Sequence, residues 1–99
     1  MITNPESKRP RRGITEIYHD ILEAIISGRS SPSRIMYKSN LSWTALQTYL
    51  KNLEGCGWLQ YKINGNRKEY QITPKGIENY NRLRNILEGL TSPSAIENK

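Results

Sequence analysis

Four polar side chains recur at helical spacing along residues 42–55 and are the groups best suited to recognition chemistry. They are Thr44, Gln47, Thr48 and Lys51. Projected as a helix, these residues share one side, because positions three and four apart lie on the same face. Hydroxyl and amide groups of this size reach base edges in a DNA groove, and a lysine meets a phosphate. The pattern predicts a helix that presents a polar face to duplex DNA.

The opposite side of the same segment is apolar, as a helix packed on a domain core requires. Its members are Ala45, Leu46, Tyr49, Leu50 and Leu53. Trp43 lies on the border between the two sides, where stacking on a DNA sugar and packing against the domain both fit. Ser42 is placed to cap the start of the helix, and Gly55 is placed to end it.

Enzyme and metal-site patterns do not occur in this sequence. His19 falls on the polar side of an amphipathic segment without a nucleophile or carboxylate arrangement, and we interpret it as a surface histidine. Cys56 is the only cysteine, which excludes an intramolecular disulfide, and one Cys with one His does not make an ordinary zinc site. Paired carboxylates and phosphate-binding glycine loops are also missing. We therefore predict a protein that is not an enzyme and takes no cofactor or metal.

The net charge of +6 is spread unevenly along the chain. Residues 13–28 contain three acidic side chains and no lysine or arginine, whereas cations dominate residues 1–12 and 29–68. One-sided positive surfaces attract phosphate-rich partners and release their counterions. A merely solvated basic face is the alternative, and the uneven distribution favours a nucleic-acid partner.

The chain begins with polar residues rather than the apolar stretch of a secretion signal, and no apolar run approaches bilayer length. We expect a soluble cytoplasmic protein, associated with the nucleoid and without a membrane partner. Its 99 residues suit a single domain with one modest core.

Periodicity predicts three helices in the first half of the chain. Residues 1–12, rich in cations and poor in apolar groups, are predicted to be a flexible basic arm. From Ile14 apolar residues recur every three or four positions until Gly28, and a short helix follows at about residues 33–38. The turn before the helix at 42–55 has three or four residues, which is the spacing of a helix-turn-helix.

The second half predicts a hairpin and a last helix. Residues 58–63 and 69–72 alternate as strands, and the connection over 64–68 carries two adjacent cations. Thr73 followed by Pro74 predicts the start of a helix that reaches about residue 90. Residues 91–99 are predicted to be a flexible tail. The fold class is mainly α with a small β-hairpin: a three-helix core, a two-stranded wing and a C-terminal helix.

This order of elements resembles the prokaryotic winged helix-turn-helix DNA-binding proteins, most closely the small archaeal members with a C-terminal dimerisation helix. The segments that carry the resemblance are residues 35–43, 49–53, 57–59 and 72–76. The resemblance implies a winged helix-turn-helix domain over residues 13–73 and a dimerisation helix over residues 74–90.

In that family the third helix enters the major groove, while the wing lies against the backbone or the minor groove. The resemblance therefore implies that the recognition helix contacts DNA through Ser42, Trp43, Thr44, Gln47, Thr48 and Lys51. Backbone contacts fall to Arg34, Lys38, Arg67 and Lys68, and to Arg11 and Arg12 of the arm. A bidentate pair between Gln47 and adenine, or a contact of Thr44 with a thymine methyl group, would contribute about 1–3 kcal/mol of base discrimination.

The last helix carries an apolar stripe with 3-4-3 spacing. Its residues are Tyr80, Leu83, Leu87 and Leu90. Two heptads indicate a seam between two copies of the chain, and DNA readers commonly use two-fold half-sites. The alternative is that the stripe only covers the first helix of its own chain.

The sequence thus predicts sequence-specific binding of double-stranded DNA by a homodimeric transcriptional regulator. One alternative is a sequence-tolerant architectural protein, which abundant cations also permit. Another is a protein-interaction module, with Trp43, Trp58 and Tyr61 as anchors.

Overall fold

The computed structural model describes residues 13–89, which form four helices and one antiparallel hairpin. The elements are α1 (Ile14–Ile26), α2 (Pro32–Ser39), α3 (Trp43–Gly55), β1 (Leu59–Asn64), β2 (Arg67–Ile72) and α4 (Pro74–Gly89). The predicted fold class and element order are confirmed. The predicted arm and tail, and Leu90, lie outside the described residues. None of the helices within residues 13–89 has the length and hydrophobicity to cross a membrane.

Local capping explains where α2 and α3 begin and end. The Ser31 side chain caps α2 by accepting a hydrogen bond from the backbone N–H of Arg34 at 3.4 Å. α2 ends at Ser39, and the left-handed backbone of Asn40 (φ 60°) then turns the chain. Ser42 then caps α3 by accepting from the backbone N–H of Ala45 at 3.1 Å. Two capped helices on either side of one left-handed residue make the short turn that the sequence predicted.

The hairpin has longer strands and a tighter turn than the sequence predicted. Pairing closes with Asn64 opposite Arg67, so only Gly65 and Asn66 remain in the turn. The expectation of a five-residue connection over 64–68 was wrong. Glycine at the first central position (φ 67°) supports a two-residue turn whose twist matches the flanking strands.

The core lies between the first three helices and is closed on one side by the hairpin. Its buried apolar residues are Ile21, Leu22, Ala24, Ile25, Ile35, Leu46, Leu50, Leu53, Leu59 and Tyr70. The backbone N–H of Tyr70 donates to the carbonyl oxygen of Ser30 at 2.8 Å, which fastens β2 to the loop before α2. α3 is therefore supported from behind along its apolar side.

α4 packs against α1 and β2 as part of the same body. Gly76 is buried at this contact, and a Cβ atom there would overlap the carbonyl oxygen of Trp58. Further along α4, the ring of Tyr80 stacks on His19, with centroids 5.2 Å apart and planes 13° apart. Leu83 also packs against the core. The first turns of α4 are thus anchored within the chain.

Candidate nucleic-acid interface

The polar side of α3 faces away from the core. Thr44, Thr48 and Lys51 are exposed, and Gln47 is half-buried. The Thr48 hydroxyl donates to the carbonyl oxygen of Thr44 at 3.3 Å, which leaves its oxygen able to accept from an amino group. The Ser42 oxygen accepts from the Ala45 N–H, so its own proton remains able to donate. This face offers donors and acceptors at base-edge reach.

A cleft between the wing and the start of α3 collects residues that are distant in sequence. We name it the wing cleft; its volume is about 550 Å³, and it is lined by Ser31, Pro32, Ser33, Arg34, Trp43, Asn66, Arg67 and Lys68. Three of these residues are cations, contributed by α2 and β2. Trp43 is 52% exposed, so the indole is available at the cleft and is not buried in the core.

The two neighbouring cations of the wing have different environments. Along β2, successive side chains point to opposite faces of the hairpin, so the Arg67 and Lys68 side chains lie on different faces. Arg67 is exposed. The Lys68 Nζ lies 4.2 Å from the centre of the Tyr61 ring and 3.4 Å from the Tyr70 hydroxyl oxygen. Cation–π contact and a hydrogen bond hold the ammonium group over the hairpin surface.

Tyr70 links this lysine to the reading helix. Burial raises the pKa of Tyr70, and a hydrogen bond to Glu54 of α3, together with the negative charge of that carboxylate, raises it further. The hydroxyl therefore stays protonated, and its oxygen accepts from Lys68. The resulting chain of contacts couples α3 to the wing. Sequence reasoning did not assign Glu54 or Tyr70 to the site, because partners from α3 and β2 meet only in the folded chain.

A second basic cleft lies beside the turn between α1 and α2. We name it the turn cleft; its volume is about 570 Å³, and it is lined by Ser27, Gly28, Arg29, Arg34, Tyr37 and Lys38. Arg34 lines both clefts. The Arg29 guanidinium donates to the Ser27 hydroxyl at 3.4 Å, and Tyr37 is 78% exposed. The sequence-based contacts included Arg34 and Lys38 but not Tyr37.

The structure brings together some predicted contacts and separates others. Arg34 meets the wing residues in one cleft and Lys38 in the other, whereas Lys51 is exposed on α3 and lines neither. The arm contacts, Arg11 and Arg12, lie outside the described residues.

The apolar stripe of α4 is partly used inside the chain. Tyr80 and Leu83 contact α1 and the core, Leu87 is half-buried, and Leu90 lies outside the described residues. Ile86 of α4 is 52% exposed, and Ile77 and Ile14 are also exposed. Exposed isoleucines therefore remain on α4 and α1 after the internal contacts are made, and the dimer seam stays a prediction.

One cluster in the described part of the chain has metal-ligand spacing. His19, Asp20 and Glu23 offer ligand atoms within 4.8 Å of one another on α1. The His19 Nδ1 is 3.1 Å from Asp20 Oδ1 and 3.8 Å from Glu23 Oε1, while its ring stacks on Tyr80. Contacts within the chain account for these positions, and carboxylates of this kind are common without an ion.

Comparisons with known proteins agree with this architecture. A family model described as winged helix-turn-helix matches residues 11–90. An uncharacterised protein of Methanocaldococcus jannaschii is 29% identical over 86 residues, which cover 87% of this chain and 84% of that protein.

Several solved structures are also similar to this chain. Sso10a-2, a DNA-binding protein from Sulfolobus solfataricus, has a TM-score of 0.75 at 26% identity, with 87% of this chain and 90% of that chain covered. The transcriptional regulator BldR of the same organism has a TM-score of 0.72 at 18% identity, with 83% and 61% covered. MepR, a transcription regulator from Staphylococcus aureus, has a TM-score of 0.68 at 14% identity, with 84% and 64% covered. The last two likenesses show the fold alone.

Proposed function

Because the chain belongs to the winged helix-turn-helix family, we propose that it binds double-stranded DNA sequence-specifically, as a homodimeric transcriptional regulator of the cytoplasm and nucleoid. The observation that carries the proposal is the polar face of α3 beside the wing cleft, which Arg34, Arg67, Lys68 and Trp43 line. A reading face beside a phosphate-binding cleft is what groove recognition requires. The description of Sso10a-2 as a DNA-binding protein supports the choice of ligand.

In this proposal α3 lies in the major groove. Thr44, Gln47 and Thr48 meet base edges, while the Ser42 hydroxyl donates at the start of the helix. Thr48 contributes an acceptor, because its proton is held by the Thr44 carbonyl oxygen. Base contacts of this type set specificity.

Phosphate contacts surround the reading helix. Arg67 reaches a phosphate from the wing, and Lys51 and Lys38 reach phosphates from α3 and α2. Lys68 contributes positive charge while it stays over Tyr61, so it acts mainly by positioning the wing. Arg11 and Arg12 of the arm add attraction that does not depend on sequence.

The proposed dimer forms along α4. Tyr80 and Leu83 hold α4 against its own chain, and the outer part of the stripe, with Leu87, Leu90 and Ile86, meets the second copy. Two copies related by a two-fold axis would present two reading helices to two half-sites.

The proposal is tested by selecting bound duplexes from a random pool and measuring affinity for selected and scrambled sequences at several salt concentrations. We expect tighter binding of the selected duplex. Equal affinity for every duplex would identify an architectural protein, and absence of any duplex binding would point to a protein-interaction module.

Two variants then separate base reading from phosphate binding. Gln47→Ala is expected to cost about 1–3 kcal/mol on the selected duplex and little on the scrambled one. Arg67→Ala is expected to weaken both duplexes alike and to reduce the salt dependence by roughly one phosphate contact. Equal losses for Gln47→Ala on both duplexes would remove this residue from base recognition.

A further inference from the structure

Two exposed aromatic rings lie beside a shared arginine. Trp43 lines the wing cleft and Tyr37 lines the turn cleft, while Arg34 lines both. The two clefts have similar volumes, about 550 and 570 Å³, and each contains three cations. Within residues 13–89, no acidic side chain lines either cleft. Rings and cations therefore follow one another along this surface.

The other aromatic side chains of residues 13–89 lie against a ring or a cation. Tyr18 meets Tyr49 and Trp58 edge to face, and Tyr80 stacks on His19. Tyr61 and Tyr70 contact each other and the Lys68 ammonium group. Among the rings of residues 13–89, Tyr37 and Trp43 are the most exposed, at 78% and 52%, while Tyr61, at 42%, is also exposed but lies under the Lys68 ammonium group. Packing within the chain therefore does not account for the positions of Tyr37 and Trp43.

Base faces are the ligand surface that fits such rings. In a duplex the bases stack on one another, and a protein in the groove meets only their edges. A single strand exposes base faces, which stack on aromatic side chains while cations between the rings hold the phosphates. A recognition helix for duplex DNA does not explain Tyr37, which lies on α2 and outside the polar face of α3.

We propose that the wing cleft and the turn cleft together bind single-stranded DNA. One base stacks on Trp43 and another on Tyr37, and Arg34 holds a phosphate between them. Arg29 and Lys38 continue the phosphate path beside Tyr37, as Arg67 does beside Trp43. Single-stranded and duplex DNA share Arg34, so the two ligands compete.

The test uses the full chain and a labelled oligothymidine of about 12 nucleotides, within the range of site sizes of single-strand binders. An abasic strand of the same length carries the same phosphates without bases. Fluorescence anisotropy is expected to show at least about tenfold tighter binding of oligothymidine than of the abasic strand. Binding of oligothymidine is also expected to quench the fluorescence of Trp43, and this quenching should be lost in Trp43→Phe.

Tyr37 provides a matched pair of variants. Tyr37→Ala is expected to weaken oligothymidine binding by about 5-fold to 100-fold and to leave abasic-strand affinity within about twofold. Tyr37→Phe keeps the ring and is expected to retain the affinity of the unchanged protein for oligothymidine. Duplex affinity should change by less than about twofold in both variants, since their substitution site is exposed and outside α3.

Equal affinity for oligothymidine and the abasic strand would overturn the proposal, because the surface would then attract phosphates only. Unchanged oligothymidine affinity in Tyr37→Ala, with an unchanged circular dichroism spectrum, would also overturn it. Binding of oligouridine about tenfold or more tighter than oligothymidine would overturn the assignment to DNA and identify RNA as the ligand of the two clefts. If the unchanged protein bound oligothymidine but no duplex, the proposed regulator would be refuted and the single-strand proposal would stand.

Discussion

α3 and α4 both carry an apolar stripe at helical spacing, but the folded chain uses the two stripes differently. The stripe of α3 faces the core, with Leu46, Leu50 and Leu53 buried, and the polar side is left for recognition. In α4 only Gly76 is buried, and the apolar residues divide between internal contacts and solvent. Periodicity therefore indicates which side of a helix is apolar but not what covers that side.

The largest expected difference between the two helices concerns cavity formation. Leu50→Ala removes a fully buried side chain of α3 and is expected to lower the free energy of unfolding by about 2–5 kcal/mol. Leu87→Ala removes a half-buried side chain of α4, and we expect a loss below about 2 kcal/mol. Urea denaturation followed by circular dichroism measures both. Equal losses would show that α4 is as deeply packed as α3.

A pair of glycines tests the same comparison by addition of one methyl group. Gly76→Ala places a Cβ against the Trp58 carbonyl oxygen and is expected to destabilise the fold by about 1–3 kcal/mol or more. Gly55→Ala, at the end of α3, is the control, since no atom beyond its chain neighbours and the backbone of its own helix lies within 4 Å of the added carbon. We expect it to be neutral or stabilising by up to about 1 kcal/mol. A neutral Gly76→Ala would contradict the close approach of α4 to the start of β1.

A substitution on the exposed part of the α4 stripe is expected to change the stability of the monomer least. Ile86→Glu places a charge on the proposed dimer seam and is expected to raise the dissociation constant of the dimer by more than about tenfold, or roughly 1.4 kcal/mol. Ile63→Glu, on the exposed wing, is the matched control and should leave the dimer unchanged. Sedimentation velocity over a range of concentrations distinguishes the species. A monomer at every concentration of the unchanged protein would remove the seam altogether.

The element order was predictable because each signal was local. Apolar spacing located the helices, and Ser42 was placed to cap the start of α3, where the structure has it. The length of the hairpin turn was not predictable from composition, since Arg67 and Lys68 suit a loop as well as a strand. Pairing with β1 decided in favour of the strand.

The candidate site was predictable only in part. Thr44, Thr48 and Lys51 lie on the exposed side of α3 where periodicity placed them. Tyr37 gave no sequence signal, because one tyrosine on a short amphipathic helix is ordinary. Its interest comes from the cleft that it shares with cations from two elements.

By itself, the sequence determined the order of helices and strands, the apolar and polar sides of α3, and the concentration of cations in the middle of the chain. Each of these follows from neighbours within a turn or a strand. The tertiary structure alone decided that Arg34 meets the wing, that Lys68 lies over Tyr61, and that Tyr80 is used inside the chain. Such contacts join distant segments, and their geometry depends on how the whole core packs, which no local pattern encodes.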